Sequence, residues 1–532
     1  MNWEKLKGMI VFIKTENNIT DIITGIFMLA MLAVFPLYFH NDYLDLVDVK
    51  YRFYYINVFA TAILVLLVHL IFKLRGSNMP KYRKQLLGTD RAMLLFWMVF
   101  LISTLLSDYK YEAFWGNEGT WVGLFLVTVF FISYLCITRN LKFRKWYLEV
   151  FLVSGMLVCL LGIAHFFYLD PLHMKVYLNE IQKKHFVSTF GNINQYTAYV
   201  ALFMAVSATL FATSETWMSR IWHYICMVVS FIAIILGISD NGYLSTFALL
   251  SLLPLYLFLR KDWSRRYAMI LATYATVMAV LGLFLSCYQG RMMSLTSLFT
   301  PLAASGMLGY VAMSLWLITS LWYLWDYRKK DSKHKNGNAQ SPVLRYVWSG
   351  ILIIFAMIFT GVLIDINIGG NAGRYGALGN YLLLTDSWGN NRGWAWKTGL
   401  KIFSQFQWKD KLFGYGPETF YVLMVTRFWE EMTSVTGLKF MCAHNQFIQY
   451  LVTTGILGLL SYLGLMVTLI RQMVKRSSKN KVWVMPIVFA LVCYNVQNFV
   501  NFDSMLVTPV FWTLIYLGLT GSSIEEVMEK EP

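Results

Sequence analysis

Three side chains capable of chemistry gather around one polar interruption, roughly Asn367 to Ala443, in a chain that is otherwise apolar: Arg392, Glu418 and His444. Arg392 ends Trp388-Gly389-Asn390-Asn391-Arg392, and Trp396, Leu400 and Phe403 follow at helical spacing, so Gly393 to Phe406 reads as a short amphipathic helix lying on a membrane surface. An arginine at such a helix start joins a planar fork of donors to free backbone amides, which suits a phosphate or pyrophosphate; Trp396 stands close enough to line the same spot. The bland readings are contact with lipid headgroups or an ion pair with Asp386. Gly414-Tyr415-Gly416-Pro417 is a turn signal, and Glu418 just beyond it could bind a sugar hydroxyl, orient an arginine or cap the next segment. His444 stands where an apolar run resumes, and a helix dipole plus partial burial would keep its imidazole neutral and able to take a proton. Asn445 could cap that helix or orient the histidine, and Gln446 adds a second amide; the bland reading of His444 is an interfacial anchor.

Two smaller motifs precede apolar runs: Phe114-Trp115-Gly116-Asn117-Glu118-Gly119-Thr120-Trp121 and Ser188-Thr189-Phe190-Gly191-Asn192-Ile193-Asn194-Gln195. Aromatics beside carboxylates and amides suit sugar stacking and hydroxyl recognition, which makes Glu118 and Asn194 candidate binding residues. Trp121 taken alone fits the interfacial aromatic belt.

The elements that must position these residues are membrane helices. Of 532 residues, 57% are hydrophobic and 14% charged, and the mean hydropathy is +0.53, a composition outside the soluble class. Apolar runs long enough for a hydrocarbon core of ~30 Å begin near Ile22, Phe53, Ala92, Thr120, Trp146, Asn194, Ile221, Tyr243, Tyr267, Leu302, Tyr346, Gln446, Val482 and Leu506, about fourteen spans. The net charge of +16 is concentrated in alternate connections: Lys73–Arg91 and Arg328–Arg345 hold six Lys/Arg each, Arg471–Lys481 five, Arg139–Lys145 and Arg260–Arg266 four each. Under the positive-inside rule these connections and both termini are cytoplasmic, so the basicity needs no nucleic acid partner. The expected organisation is an all-α polytopic membrane protein with eleven spans over residues 1–366, a large extracytoplasmic loop carrying short helices over 367–443, and three spans over 444–532. The first apolar run lacks a small-residue exit and reads as a retained anchor, with an interfacial helix over Met1 to Thr20 ahead of it. No Cys/His spacing suggests zinc. Cys287 and Cys442 both fall on the outer side, where a disulfide could form, although no spacing motif calls for one.

Taken in order, Gly116…Gly119, Phe190-Gly191-Asn192-Ile193-Asn194, Trp388-Gly389…Arg392-Gly393…Trp396, Gly414-Tyr415-Gly416-Pro417 and His444-Asn445-Gln446-Phe447…Gly455-Ile456-Leu457-Gly458-Leu459 resemble the O-antigen ligase and O-antigen polymerase family of bacterial membrane glycosyltransferases. The resemblance is close over Trp388 to Leu460 and loose elsewhere. It implies a GT-C-like enzyme in the cytoplasmic membrane, working among membrane lipids. Such an enzyme moves a glycan from an undecaprenyl-pyrophosphate donor to a hydroxyl on a glycan, lipid or protein acceptor, with inversion and without metal or other cofactor. Arg392 and His444 match the family positions for pyrophosphate binding and acceptor deprotonation. One departure stands out: Ser239-Asp240-Asn241-Gly242-Tyr243 occupies the place of a family Ser-Arg pair, leaving Arg291 or Arg374 as substitutes for the second arginine. The rival readings are a transporter or flippase of lipid-linked oligosaccharide and a non-catalytic scaffold of surface-glycan assembly. Against transport, the sequence lacks repeated halves and charged mid-membrane helices.

Overall fold

A computed structural model describes residues 16–76, 88–117, 119–287, 293, 302, 305–329, 342–477 and 480–522. The regular structure of the described chain is helical apart from one hairpin, in which Phe186–Val187 pairs antiparallel with Gly191–Asn192. Among the described residues, ten helices are long and apolar enough to cross a membrane. The four other apolar runs form shorter helices: Leu124–Asn140, Lys481–Gln497, Thr508–Gly521, and a pair broken before a proline, Asp240–Leu252 and Pro254–Leu257. At the first span the helix Glu16–Leu29 continues through a π-helical turn, Ala30–Val34, into Phe35–Leu37. The interfacial helix expected over Met1 to Thr20 lies mostly outside the described residues.

Ile193–Thr213 is the axis of the bundle, and every residue from Gln195 to Thr213 is buried. Its Ala198, Ala201, Ala205, Ala208 and Ala212 let neighbours approach closely, which is how helices associate where hydrophobicity alone gives no drive. Trp217–Leu236, Lys481–Gln497, Asp240–Leu252 and Trp146–Phe166 surround it. A helix so enclosed carries Asn194 and Gln195 at its N-terminal end to the same place as the polar segment after residue 367.

That segment is itself folded. Trp394, Ala395, Ile402, Phe406, Phe420, Leu423, Met424, Met432, Phe440, Ala443 and Val452 form a small core separate from that of the bundle. The helix expected over Gly393 to Phe406 is present, but Gly393, Trp394, Ala395, Thr398 and Ile402 form its buried face. Of the Trp396, Leu400, Phe403 stripe, Leu400 is 48% exposed, while Trp396 and Phe403 are half-buried, Phe403 against that small core. The helix therefore packs inward as well as offering an apolar surface outward.

The apolar run expected to start a span at Gln446 is broken. Gln446–Thr453 ends at Thr454, and Gly455–Arg476 continues as the long helix. The break explains the two glycine motifs together. The Tyr415 and Gly416 amides donate to the carbonyls of Val452 (3.2 Å) and Thr453 (2.9 Å). Gly414 (φ +73°) and Gly455 (φ +72°) lie back to back, and a Cβ on Gly414 would stand 2.2 Å from the Thr453 carbonyl carbon.

Candidate functional site

Gly389, Asn390 and Asn391 take three successive left-handed conformations (φ 59°, 61° and 65°) before a regular helix begins at Arg392. Glycine and asparagine are the residues that tolerate this conformation, so the motif sets the angle at which Arg392 enters. Its guanidinium donates to Asn241 Oδ1 at 3.2 Å. Among the described residues it meets no carboxylate at ion-pair distance, and Asp386 pairs instead with Lys397 at 2.7 Å. Burial lowers the pKa of Arg392, while Cys442, Asp240 and Tyr381 act in the opposite sense. This is a half-buried cation with spare donors.

His444 is held from both sides in sequence. Asn445 caps the Gln446–Thr453 helix, accepting from the Phe447 (3.0 Å) and Ile448 (3.1 Å) amides, and the Ala443 amide donates to Gln449 Oε1 at 2.9 Å. His444 itself has φ +48°, a strained value for such a residue. Its ring stands edge-on between Phe440 (5.8 Å) and Phe502 (5.1 Å), and its buried Nδ1 has no hydrogen-bond partner in the protein. Burial and then the Arg392 charge bring its pKa down to about 3, so the imidazole is neutral and feels the guanidinium directly. Cys442, between them in charge as well as in sequence, accepts from the His444 amide, and burial pushes its thiol up to about 12.

Glu418 does not cap a helix. It is buried with φ +60°, its carboxylate accepts from Thr120 Oγ1, and its backbone carbonyl accepts from Asn117 Nδ2. Glu418 thus ties the loop before Leu124–Asn140 to the folded polar segment. Burial, and secondarily the Asp503 charge, raises its pKa to about 7.

Residues 498–503 form the floor. The Gln446 amide donates to the Asn498 carbonyl (2.9 Å) and the Asp503 amide to Gln446 Oε1 (2.8 Å). Asp503 accepts from Tyr450 and Tyr494 hydroxyls (2.9 Å each) and from Asn498 Nδ2 (3.0 Å). Burial raises its pKa while these three donors oppose the rise. Gln195 Nε2 lies 3.5 Å from the Phe502 carbonyl, which joins the axial helix to the floor.

Half-buried cation, neutral imidazole and amide floor thus share one polar region above the bundle axis. Residues 292–463 match the family model described as O-antigen ligase. No curated protein matches the chain. The match agrees with the resemblance drawn from the motifs and supports a multi-pass membrane glycosyltransferase of O-antigen ligase type, acting in surface-glycan assembly. Arg392, Glu418, His444, Asn445 and Gln446 all lie inside the matched stretch.

The other candidates divide. Asn194 Oδ1 accepts from Ser239 Oγ (2.8 Å) and Asn241 Nδ2 (3.2 Å), so it holds the residue that meets Arg392. Trp396 contacts Trp388 (5.1 Å) and Phe499 (6.5 Å) and belongs to the same wall. Arg374 does not join it: its side chain is 70% exposed and pairs with Asp365 at 3.7 Å. Its placement does not support it as a substitute for the second arginine that the resemblance implies, and within the Ser239-Asp240-Asn241 stretch the residue that meets Arg392 is Asn241. Arg291 and Glu118 lie outside the described residues. Cys287 and Cys442 are both unpaired, the first exposed and the second buried.

Sequence reading missed Gln195, Asn241, Asn498, Asn501 and Asp503 as parts of the site. A signal was present: Asn495, Gln497, Asn498, Asn501 and Asp503 crowd the nine-residue link between two apolar runs. Amides in a short connection between spans are costly unless they are matched, and they deserved the same scrutiny as the charges.

Proposed function

We propose that this chain transfers or polymerises an oligosaccharide from an undecaprenyl-pyrophosphate donor to an acceptor hydroxyl at the outer face of the bacterial cytoplasmic membrane. It crosses that membrane about fourteen times with both termini inside, and residues 367–443 lie outside. The observation that carries the reading is that Arg392 and His444 share one polar region: a half-buried guanidinium that meets Asn241 and no carboxylate among the described residues, and a buried imidazole whose Nδ1 has no partner in the protein.

The chemistry follows from the charges. Donor pyrophosphate binds Arg392, whose fork matches its oxygens. Burial is the larger cause of the low basicity of His444 and the Arg392 charge the smaller, so a bound pyrophosphate that offsets this charge restores part of the imidazole's basicity. His444 Nδ1 then takes the proton of the acceptor hydroxyl as its oxygen attacks the anomeric carbon. The anomeric C–O bond breaks, and its electron pair leaves on the pyrophosphate, which Arg392 stabilises. Attack from the face opposite the leaving group inverts the anomeric centre, and no step calls on a metal ion.

The test is transfer by purified protein given undecaprenyl-pyrophosphate-linked oligosaccharide and an acceptor glycan, compared with Arg392→Ala and His444→Ala. Loss of transfer in both, with melting temperatures retained, supports the assignment. Full transfer by either variant overturns its role.

A further inference from the structure

Away from Arg392 and His444, the loop between Trp146–Phe166 and Ile193–Thr213 walls a cavity of about 310 Å³, at the small end of ligand pockets. Its inner end bears donors. His165 lines the cavity and is fully buried; its Nδ1 accepts from the Ser188 amide at 3.0 Å, which leaves the ring proton on Nε2, and Nε2 finds no hydrogen bond within the protein. Lys175, 7% exposed, gives one ammonium proton to the Lys183 carbonyl (2.9 Å) and, among the described residues, has no carboxylate at ion-pair distance. Burial brings its pKa down to about 8, and the Asp170 charge opposes the shift. Asp170 stands on the same wall, but its two oxygens already accept the Met174 (2.9 Å) and Lys175 (2.7 Å) amides. The mouth carries a freer carboxylate: the Glu180 side chain is 84% exposed and pairs with Lys183 at 2.8 Å.

Two ammonium groups and two carboxylates line the cavity, so a bare anion or a bare cation gains little there, and a group that carries both charges suits it. The mouth is also apolar. Tyr168, Leu169 and Val176 line it, and with Leu172, Tyr177 and Ile181 they are each between 51% and 75% exposed. Large apolar side chains gathered on a connection between two membrane-crossing helices, and followed by Lys183, Lys184 and His185, are the composition of a segment seated at the lipid interface. We propose that this cavity binds a phospholipid of the outer leaflet through a zwitterionic headgroup, its phosphate on Lys175 and His165 Nε2, its primary ammonium on Glu180, and its acyl chains against Tyr168, Leu169 and Val176. An ethanolamine-type ammonium fits better than a quaternary one, because a carboxylate accepts N–H protons and an N-methyl group has none to give. The site stands apart from the transferase reading and asks of the chain only that it span a membrane.

The experiment uses the full-length chain in detergent, with lipid binding read by native mass spectrometry for dioleoylphosphatidylethanolamine, dioleoylphosphatidylglycerol and dioleoylphosphatidylcholine. The ethanolamine lipid is expected to bind about fivefold more tightly than either of the others. Lys175→Gln should weaken it about tenfold, the loss of a charged hydrogen bond, and Glu180→Gln about threefold while leaving the glycerol lipid as tightly held or tighter. Glu180 is a surface residue, so its variant decides should Lys175→Gln fail to melt cooperatively. O-phosphoethanolamine, a headgroup without chains, should compete poorly even in large excess; competition equal to that of the lipid assigns the cavity to a soluble ligand and overturns the proposal. Equal affinity for the three lipids, or unchanged affinity and selectivity in the folded variants, overturns it as well.

Discussion

His165 and His444 are both buried histidines at ends of apolar helices, yet they differ in what their nitrogens face. His165 closes Trp146–Phe166 and is fully buried; its Nδ1 accepts from the Ser188 amide at 3.0 Å and its Nε2 lies 3.4 Å from Asp170 Oδ1. Asp170 is itself fixed by the Met174 (2.9 Å) and Lys175 (2.7 Å) amides. His165 Nε2 makes no hydrogen bond within the protein but faces the Asp170 carboxylate, and the ring is a strut between a helix end and the Phe186–Asn192 hairpin. A cavity of about 310 Å³ beside it is lined by Asp170, Lys175, Glu180 and Lys183, a set of offsetting charges. Each ring has one unmatched nitrogen and one cation in its field, Lys175 for His165 and Arg392 for His444, but only His444 has a strained backbone and, among the described residues, no carboxylate at ion-pair distance. The contrast teaches that burial of a histidine says little, and that what its nitrogens are left facing says much.

The sharpest way to break the contrast is to remove each ring. His444→Ala should lower transfer by at least 10²–10³-fold with the fold retained, and Arg392→Ala by a similar factor, because a base and a charge at the leaving group act on the reacting bond. Arg392→Lys should recover little of it, since an ammonium lacks the planar fork. His165→Ala should do the reverse: per folded molecule, activity within a few-fold of wild type, and stability lower by about 1–3 kcal/mol from the orphaned Ser188 amide. Transfer assays paired with thermal melts in detergent separate the two. A His165 variant as inactive as the His444 variant would remove the distinction.

Glu418 sharpens the comparison through pH. Its folded-state pKa is raised to about 7 from an ordinary 4.5. Below about pH 4.5 the carboxyl is neutral folded or unfolded and costs nothing. As pH rises to about 7 the unfolded chain releases its proton while the folded one holds it, and stability falls by on the order of 3 kcal/mol, a loss that persists above pH 7. Glu418→Gln keeps an acceptor for Thr120 and removes the ionisation. Its melting temperature should exceed that of wild type at pH 8 and converge with it near pH 4.5. Parallel melting curves across that range would show that the carboxyl titrates normally. His444 works in the other direction: held neutral with a pKa of about 3, it adds stability above about pH 6.5 that is lost as pH falls towards 3, and His444→Gln abolishes that acid-side loss.

How much of this was legible beforehand depends on which signal each residue sent. Arg392, His444 and the paired glycine turns were readable because charge and glycine are rare in apolar sequence and mark their own positions. Helices were found at each of the apolar runs for the same reason. What hydropathy could not convey was the break at Thr454, since Val452 to Leu457 reads as unbroken and only the close approach of Gly414 demands the interruption. The stripe Trp396, Leu400, Phe403 misled because the true inner face, Gly393, Trp394, Ala395, Thr398, Ile402, is less apolar residue by residue and is buried by its small core. The amide floor stayed hidden because uncharged Asn and Gln barely disturb a hydropathy profile, however costly they are to bury.

Asn241 offers a subtler test. It accepts from Arg392 at 3.2 Å while its own nitrogen is held by Asn194, so it sets where the guanidinium sits without touching the reacting atoms. Asn241→Ala should raise KM for the donor about three- to tenfold with kcat changed less, and Asn241→Asp, an anion beside the phosphate site, should be worse than alanine. An aspartate variant as active as wild type would mean that no anion binds there.

The smallest effect belongs to Arg374, and it bears on how many arginines the site uses. An ion pair that is largely exposed contributes little: the median for such pairs is about 0–1 kcal/mol, so Arg374→Ala should leave stability within about 0.5 kcal/mol and transfer within twofold. Equality with wild type would leave Arg392 as the cation of the described site, with Asn241 as the residue that meets it. A loss comparable to that of Arg392→Ala would require the segment from Asp365 to Leu382 to swing over the site when donor binds, bringing the Arg374 guanidinium from solvent to the pyrophosphate.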